Sequence, residues 1–224
     1  MSIFRRNPPK DHTHKHLKLL LRQALLPRIR PQVALDLFAG KGEIAESCYL
    51  GFEELYCVEK HPRSFALLEK RFREYLPGPD GAAVKKPVVR LFREDNLRFI
   101  AEELPAITRI NGVDFDAYAS PQFQIKAFFN AYPVREPMVV FVTDAGRLGR
   151  LRSGVWHPDW FSAREPSGPP AERRHPAPAR HYELLIRQFW AELERAHGFN
   201  IKLFRLYWRQ QRTVAYSGIF LVPA

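Results

Sequence analysis

The seven residues Asp36-Leu37-Phe38-Ala39-Gly40-Lys41-Gly42 decide the fold. An apolar run precedes the glycines and predicts a buried β-strand over Val33–Phe38, and an amphipathic stretch after them predicts a helix over Glu43–Leu50. A glycine-rich turn between a strand and a helix lets the backbone approach a ligand closely. The sequence therefore predicts a crevice for a nucleotide-like ligand at the end of the first strand of an α/β sheet.

Two ligands are compatible with this turn. Residues 40–45 satisfy the loose dinucleotide pattern G-x-G-x-x-[G/A], which allows NAD. Asp36 favours S-adenosylmethionine, because a carboxylate before the turn can accept the amino group of a methionine moiety but would repel a pyrophosphate. Glu43 at the start of the helix would add to that repulsion. We therefore expect S-adenosylmethionine as the cofactor, bound by Asp36, Phe38, Gly40 and Gly42.

Two more acids follow the next predicted strands. Glu59 ends the strand Leu55–Glu59, where a carboxylate can accept both ribose hydroxyls, a feature that dinucleotide enzymes share. Asp95 follows the strand Val88–Phe92 and is a candidate for the adenine amino group. Its alternative interpretation is a helix cap, and Asn96 is a reasonable cap as well.

Short apolar runs alternate with amphipathic ones along the chain, which is typical of a parallel sheet covered by helices. The further predicted strands are Gly112–Asp116, Met138–Thr143 and a terminal antiparallel pair, Ile201–Trp208 and Val214–Val222. The further predicted helices are Pro62–Tyr75, Leu97–Leu104, Gln122–Asn130 and His181–His197. This layout resembles the Rossmann-like fold of class I S-adenosylmethionine-dependent methyltransferases. The resemblance implies an α/β fold with a mainly parallel seven-stranded sheet, an antiparallel C-terminal strand and helices on both faces.

We expect a basic N-terminal arm and helix over residues 1–30, followed over residues 31–224 by a domain that the resemblance implies to be a methyltransferase domain. The helix, which Pro27 stops, is predicted to be a lid or a packing helix. The domain contains a Pro- and Arg-rich insertion at about residues 150–180, a length at which a loop is usually functional or disordered.

The segment Asp116-Ala117-Tyr118-Ala119-Ser120-Pro121 follows the fourth predicted strand. It resembles the D-P-[YF]-G-[ST]-P motif of the tRNA guanine N2-dimethyltransferase family. It departs from that motif at Ala117, where the family has proline, and at Ala119, where the family has glycine. The resemblance implies that Asp116 and Tyr118 are catalytic and that Ser120 and Pro121 contact the substrate.

The residue types suit methylation of an exocyclic base amine. Such a nitrogen is a poor nucleophile, and a hydrogen bond to Asp116 would shift its lone pair toward the methyl group. Tyr118 could stack on an unstacked base. The alternative is a strand-end turn with a packed aromatic side chain. Cys48 and Cys57 lie outside the predicted crevice, so no covalent cysteine nucleophile is expected, and no metal site is predicted.

The formal net charge of +11 arises in two segments. Residues 1–30 contribute +7 and residues 146–180 contribute +4, whereas the rest of the chain is balanced. Concentrated positive charge predicts a polyanionic partner. We expect substrate contacts from this second segment at Arg147, Arg150, Arg152 and Trp156; the alternative for Trp156 is that it anchors the segment to the body of the protein. Asp144, which ends the fifth strand, is either a further polar group in the substrate crevice or a turn residue.

Together these features predict a methyltransferase acting on an exocyclic base amino group in nucleic acid, with RNA (tRNA or rRNA) favoured over DNA. The alternatives are a DNA amino-methyltransferase and a non-catalytic nucleic-acid-binding protein that kept the fold. The chain has no apolar run of the roughly 18 residues that a membrane span needs and no secretory signal, so we expect a cytoplasmic protein without a membrane partner.

Overall fold

The computed structural model describes residues 15–78, 85–145, 155–156, 173–174, 182–209 and 214–224. The nine strands of these parts are β1 Val33–Asp36, β2 Glu54–Val58, β3 Val88–Phe92, β4 Ile110–Asp116, β5 Met138–Asp144, β6 Val155–Trp156, β7 Arg173–Arg174, β8 Phe199–Trp208 and β9 Ala215–Pro223. The six α-helices are α1 Lys15–Leu25, α2 Glu43–Cys48, α3 Pro62–Phe72, α4 Asn96–Glu102, α5 Gln122–Ala131 and α6 Tyr182–His197.

Seven strands form one sheet in the order β3-β2-β1-β4-β5-β9-β8. Strands β1 to β5 pair in parallel, and β9 lies antiparallel between β5 and β8. This topology confirms the predicted fold class. The predicted first strand was too long at its end, because the backbone leaves β1 after Asp36 and turns into the glycine segment.

Helices cover both faces of the sheet. Helices α1, α2 and α3 bury side chains such as Leu25, Ala45 and Phe72 in the core on one face. Helices α4, α5 and α6 bury side chains such as Phe99 and Phe128 in the core on the other face. The strand residues alternate between these two cores, as the period of two in a β-strand requires.

Helix α1, predicted as a lid or a packing helix, packs on the sheet. Leu21 and Leu25 are fully buried against β9, where the chain has Gly218. A Cβ atom at that glycine would lie 2.6 Å from Cδ1 of Leu25, so the close approach depends on the missing side chain. The helix is therefore built into the core, whereas the division of the chain at residue 31 stays a prediction.

The basic segments fall mostly outside the described residues. Arg147, Arg150 and Arg152 lie outside them, and of Trp156 only the backbone is described, paired with Arg173 in the small β6–β7 sheet. None of the helices in the described part of the chain is long and apolar enough to cross a membrane.

Candidate active site

The glycine turn connects β1 to α2 at the carboxyl edge of the sheet. Gly40 and Gly42 have φ angles of 55° and 78°, in the left-handed region that favours glycine. A Cβ at Gly42 would lie 2.7 Å from side-chain atoms of Leu68 and Phe72, so this glycine allows the turn to pack on α3. A Cβ at Gly40 would meet nothing nearer than the Phe38 carbonyl oxygen at 3.9 Å. The backbone at Gly40 is therefore open to a ligand.

Glu59 follows β2 and lies beside this turn. Its carboxylate accepts hydrogen bonds from the backbone N–H of Gly40 at 3.0 Å and of His61 at 2.7 Å. The same side chain thus joins the glycine turn to the start of α3. A carboxylate accepts about four hydrogen bonds, so lone pairs remain for ribose hydroxyls.

Asp95 is the N-cap of α4. Its Oδ1 accepts a hydrogen bond from the N–H of Leu97 at 3.0 Å, and its Oδ2 lies 3.6 Å from Nζ of Lys60. The suggestion that Asn96 caps this helix is wrong, because Asn96 is already the first helical residue and its amide oxygen accepts from Gln124. The cap interpretation of Asp95 is confirmed, and an adenine contact through its other oxygen stays a prediction.

Three carboxyl groups meet where β1 and β4 end. Asp36 pairs with Asp114 across the two strands, and Asp116 lies two residues further along β4 on the same face. Asp36 is 2% exposed, and its Oδ1 accepts from the N–H of Phe38 at 3.1 Å. Burial raises the pKa of Asp36 well above its ordinary value, and the two other acids raise it further. Asp36 therefore lies beneath the turn rather than open at its surface.

Helix α1 supplies the cations for these acids. Arg22 is buried; its Nε donates to Oδ2 of Asp114 at 3.1 Å, and its Nη2 makes an ion pair with the same oxygen. The Tyr49 hydroxyl accepts from Arg22 at 2.9 Å and donates to Asp114 at 2.5 Å. Lys18, one turn earlier, donates to both oxygens of Asp116 at 2.5 and 2.6 Å. Sequence analysis missed both roles, although Arg22 adjoins Leu21 on the apolar face of the helix.

Burial affects Asp114 more than its partners do. Desolvation raises the pKa of Asp114 above its ordinary value in spite of the guanidinium of Arg22, and the nearby Asp116 adds to the rise. The Oδ1 atom of Asp114 is buried without a hydrogen-bond partner. Arg22 and Tyr49 therefore both contact Asp114 through its Oδ2 atom.

The predicted catalytic motif forms the turn between β4 and α5. Tyr118 is 93% exposed, which contradicts the alternative of a packed aromatic side chain. The N–H of Ala117 donates to the Phe115 carbonyl oxygen at 2.9 Å, a bond that proline at this position could not make. Phe123 in the first turn of α5 is a second exposed aromatic side chain, which the sequence analysis did not select.

Asp144, at the end of β5, bonds to residues at the end of the turn between β4 and α5. Its carboxylate accepts hydrogen bonds from Ser120 Oγ at 3.0 Å, Gln122 Nε2 at 3.1 Å and the Tyr182 hydroxyl at 2.9 Å. It is 1% exposed. Of its two interpretations, these contacts support the turn residue. Pro121 follows Ser120 and precedes the first residue of α5.

Both cysteines of the chain are described, and neither has the character of a nucleophile. Burial raises the pKa of Cys48 to about 11 and that of Cys57 well above its ordinary value. Both side chains therefore stay protonated near neutral pH. No group of three or more metal-binding side chains occurs within the described residues.

Known structures share this fold. The fold matches that of Trm1 from Pyrococcus horikoshii in complex with S-adenosyl-L-methionine, with a TM-score of 0.64 and 16% identity over 97% of this chain and 56% of that one. The fold also matches that of M. jannaschii TYW2 in complex with AdoMet, with a TM-score of 0.55 and 12% identity over 98% of this chain and 80% of that one. The N-methyltransferase NodS from Bradyrhizobium japonicum matches with a TM-score of 0.53 and 11% identity over 96% and 99%.

These likenesses establish the Rossmann-like fold of class I methyltransferases for this chain. At such low sequence identities these likenesses establish the fold of the chain but say nothing about its substrate. No family model and no curated protein sequence matches the chain.

Proposed function

We propose that this protein is an S-adenosylmethionine-dependent methyltransferase that acts on an exocyclic base amino group in nucleic acid, with RNA favoured over DNA. One observation carries the proposal. The open glycine turn and the Asp116–Tyr118 segment lie at the carboxyl edge of adjacent strands, β1 and β4, of a methyltransferase fold. In open α/β sheets, ligands bind at this edge, where the strand order reverses.

The residues of the crevice fit S-adenosylmethionine. The open backbone at Gly40 allows a close approach, and Glu59 beside it keeps lone pairs for ribose hydroxyls. Beneath the turn, Asp36, Asp114 and Asp116 outnumber the two described cations, Lys18 and Arg22, so these residues offer no surplus cation to a pyrophosphate. Asp36 accepts from the N–H of Phe38 below the turn, and Asp95 completes the crevice after β3.

Asp116 and Tyr118 have separate tasks in this mechanism. Asp116 accepts a hydrogen bond from the amino group and so orients the nitrogen lone pair, while the exposed ring of Tyr118 stacks on the base. When bound, S-adenosylmethionine would supply an electrophilic methyl group on its sulfonium. Asp116 would accept the proton that the amino nitrogen loses on methylation and pass it to solvent. Asp144 keeps the turn in place through Ser120 and Gln122.

Two features support a nucleic-acid substrate. Segments 1–30 and 146–180 carry the whole excess positive charge of the chain, and polyanions bind such segments by counterion release. Lys18 and Arg22 do not add to this binding, because they pair with acids of β4. The motif Asp116–Pro121 resembles that of a tRNA methyltransferase family, and Trm1 shares the fold. Contacts from Arg147, Arg150, Arg152 and Trp156 belong to the same proposal.

The test is transfer of a labelled methyl group from S-adenosylmethionine to total RNA and to DNA, followed by nucleoside analysis. We expect label on a base amino group in RNA. Label on a ring carbon or a ribose oxygen would contradict the amine mechanism, and label in DNA alone would favour the DNA alternative. The absence of transfer together with retained RNA binding would support the non-catalytic alternative.

Two variants assign the roles of the motif. D116N should lower kcat by roughly a hundredfold while cofactor affinity, measured by calorimetry, stays near the wild-type value. Y118A should raise KM for nucleic acid by about tenfold, since loss of one base–aromatic stack has about that effect. L184A, which removes an exposed apolar side chain from α6, is the matched control for Y118A. Full activity in D116N would refute the assignment even if the product were a methylated amine.

A further inference from the structure

The ammonium group of Lys18 donates hydrogen bonds to both oxygens of the proposed catalytic carboxylate, Asp116. Nζ lies 2.5 Å from Oδ1 and 2.6 Å from Oδ2 of Asp116, so a single donor group bridges both oxygens. The two side chains are only 19% and 16% exposed. On its other side the ammonium group lies 5.6 Å from the centre of the Tyr216 ring. The pair is thus a mostly desolvated contact between α1 and the end of β4.

This contact is too well shielded for a neutral substrate to displace it. If an amino group replaced Lys18 at Asp116, an ammonium ion would be left with little access to water and no carboxylate, which is costly. A carboxylate accepts about four hydrogen bonds, and Lys18 uses two. The amino group can therefore bind Asp116 beside Lys18 rather than in its place.

We infer that Lys18 is a positioning and specificity-determining residue of the methylation site: it fixes both oxygens of Asp116 and occupies the place that an alkylammonium substrate would need. This inference rests on the proposed function and narrows its substrate class. The amino group of a base is uncharged near neutral pH, whereas an alkylammonium ion carries the same charge as Lys18. Like charges at hydrogen-bond distance repel, so the site selects a neutral amino nitrogen.

The kinetic test compares wild type with K18A, K18R and K15A in methyl transfer to the RNA or DNA substrate found above. We expect kcat of K18A to fall about a hundredfold with little change in KM, since misplacing a catalytic group by about 1 Å has an effect of that size. K18R should recover most of kcat because it restores the cation. K15A is the matched control, since Lys15 lies on the same helix but is 41% exposed and 3.8 Å from Glu43. Unchanged kcat in K18A would overturn the inference.

A second measurement needs no nucleic acid. In protein labelled with ¹³C at the aspartate carboxyl carbon, D116N identifies the Asp116 signal, and ethylammonium chloride is then added to wild type and to K18A. We expect ethylammonium to shift this signal in K18A, where the ammonium position is empty, and to leave it nearly unchanged in wild type. Ethanol is the uncharged control. An equal shift in both proteins would show that Lys18 does not occupy the position.

The two measurements separate the possible failures. If wild type methylates no nucleic acid, the proposed function fails, and the ethylammonium titration still decides whether Lys18 holds the amine position. If K18A does not fold, K18M keeps the apolar stem of the side chain and takes its place in both tests, with methylammonium as a smaller probe. A normal kcat or an unshifted Asp116 signal in K18M would then overturn the inference.

Discussion

Replacing Arg22 by methionine should destabilise the protein, because Asp114 would stay buried without its cation. Both residues are almost fully buried, and the Arg22 guanidinium bonds one carboxyl oxygen while the other has no partner. Removing one partner of a buried ion pair costs about 3–5 kcal/mol of the free energy of unfolding. For a chain of 224 residues this predicts a fall in Tm of roughly 6–20 °C, at about 2–4 °C per kcal/mol.

The loss of stability in R22M should depend on pH in a definite direction. The pKa of Asp114 is already raised by burial, and loss of the guanidinium raises it further. The folded protein then binds more protons than the unfolded chain above the ordinary pKa of a carboxyl group, so stability is lost as pH rises. We expect thermal unfolding, followed by circular dichroism, to show a larger deficit of R22M relative to wild type at pH 8 than at pH 5.

Two further variants make this prediction refutable. R30M removes an exposed arginine next to α1 and should leave Tm within about 2 °C of wild type, as most surface substitutions do. The double variant R22M/D114N removes the carboxylate together with the cation and should recover much of the loss, because an uncharged amide costs less to bury than an unpaired charge. A Tm of R22M equal to that of wild type, or a deficit independent of pH, would refute the electrostatic explanation.

Two more substitutions test the turns of the site. G42A should destabilise the protein by about 1–3 kcal/mol more than G198A. Both glycines have a positive φ, but only at Gly42 would a Cβ lie 2.7 Å from side chains of α3. Equal losses of unfolding free energy in chemical denaturation would argue against the clash. D144A should lower kcat for methyl transfer and leave cofactor affinity unchanged, because the Asp144 carboxylate accepts hydrogen bonds from Ser120 and Gln122 of the turn between β4 and α5. A weaker cofactor affinity in calorimetry would show that the loss of Asp144 also affects the glycine turn.

The sheet could be predicted from the sequence because its signals are local. The apolar run and the two glycines around residues 36–42 predict a strand and a turn within a short stretch, and apolar and amphipathic stretches continue to alternate along the chain. The ends of elements were less accurate, since they depend on contacts with distant residues. Beyond Leu37 the backbone leaves β4: the N–H of Phe38 donates to the Asp36 side chain, and the N–H of Ala39 donates to the Val58 carbonyl oxygen of β2.

The charges around Asp116 could not be predicted in this way. Counting basic residues along the chain assigns Lys18 and Arg22 to the surface of the N-terminal segment, where they raise the expected affinity for polyanions. The structure pairs both of them with acids of β4 instead. The available signal was an arginine adjoining the apolar face of a leucine-rich helix, which indicates a buried partner. Nothing local identifies that partner, because Arg22 and Asp114 are 92 residues apart.

The contacts of α1 bear on where the methyltransferase domain begins. A division at residue 31 separates Lys18 and Arg22 from the acids that they neutralise, and it removes Leu21 and Leu25 from the glycine of β9 that receives them. Without the helix, Asp36 and Asp114 would lose the guanidinium of Arg22, which lowers the pKa of both carboxyl groups, while burial and the neighbouring acids raise it. The cation that contacts both oxygens of the proposed catalytic carboxylate thus comes from a helix that precedes the first strand of the sheet, so the proposed methylation site includes a residue of that helix.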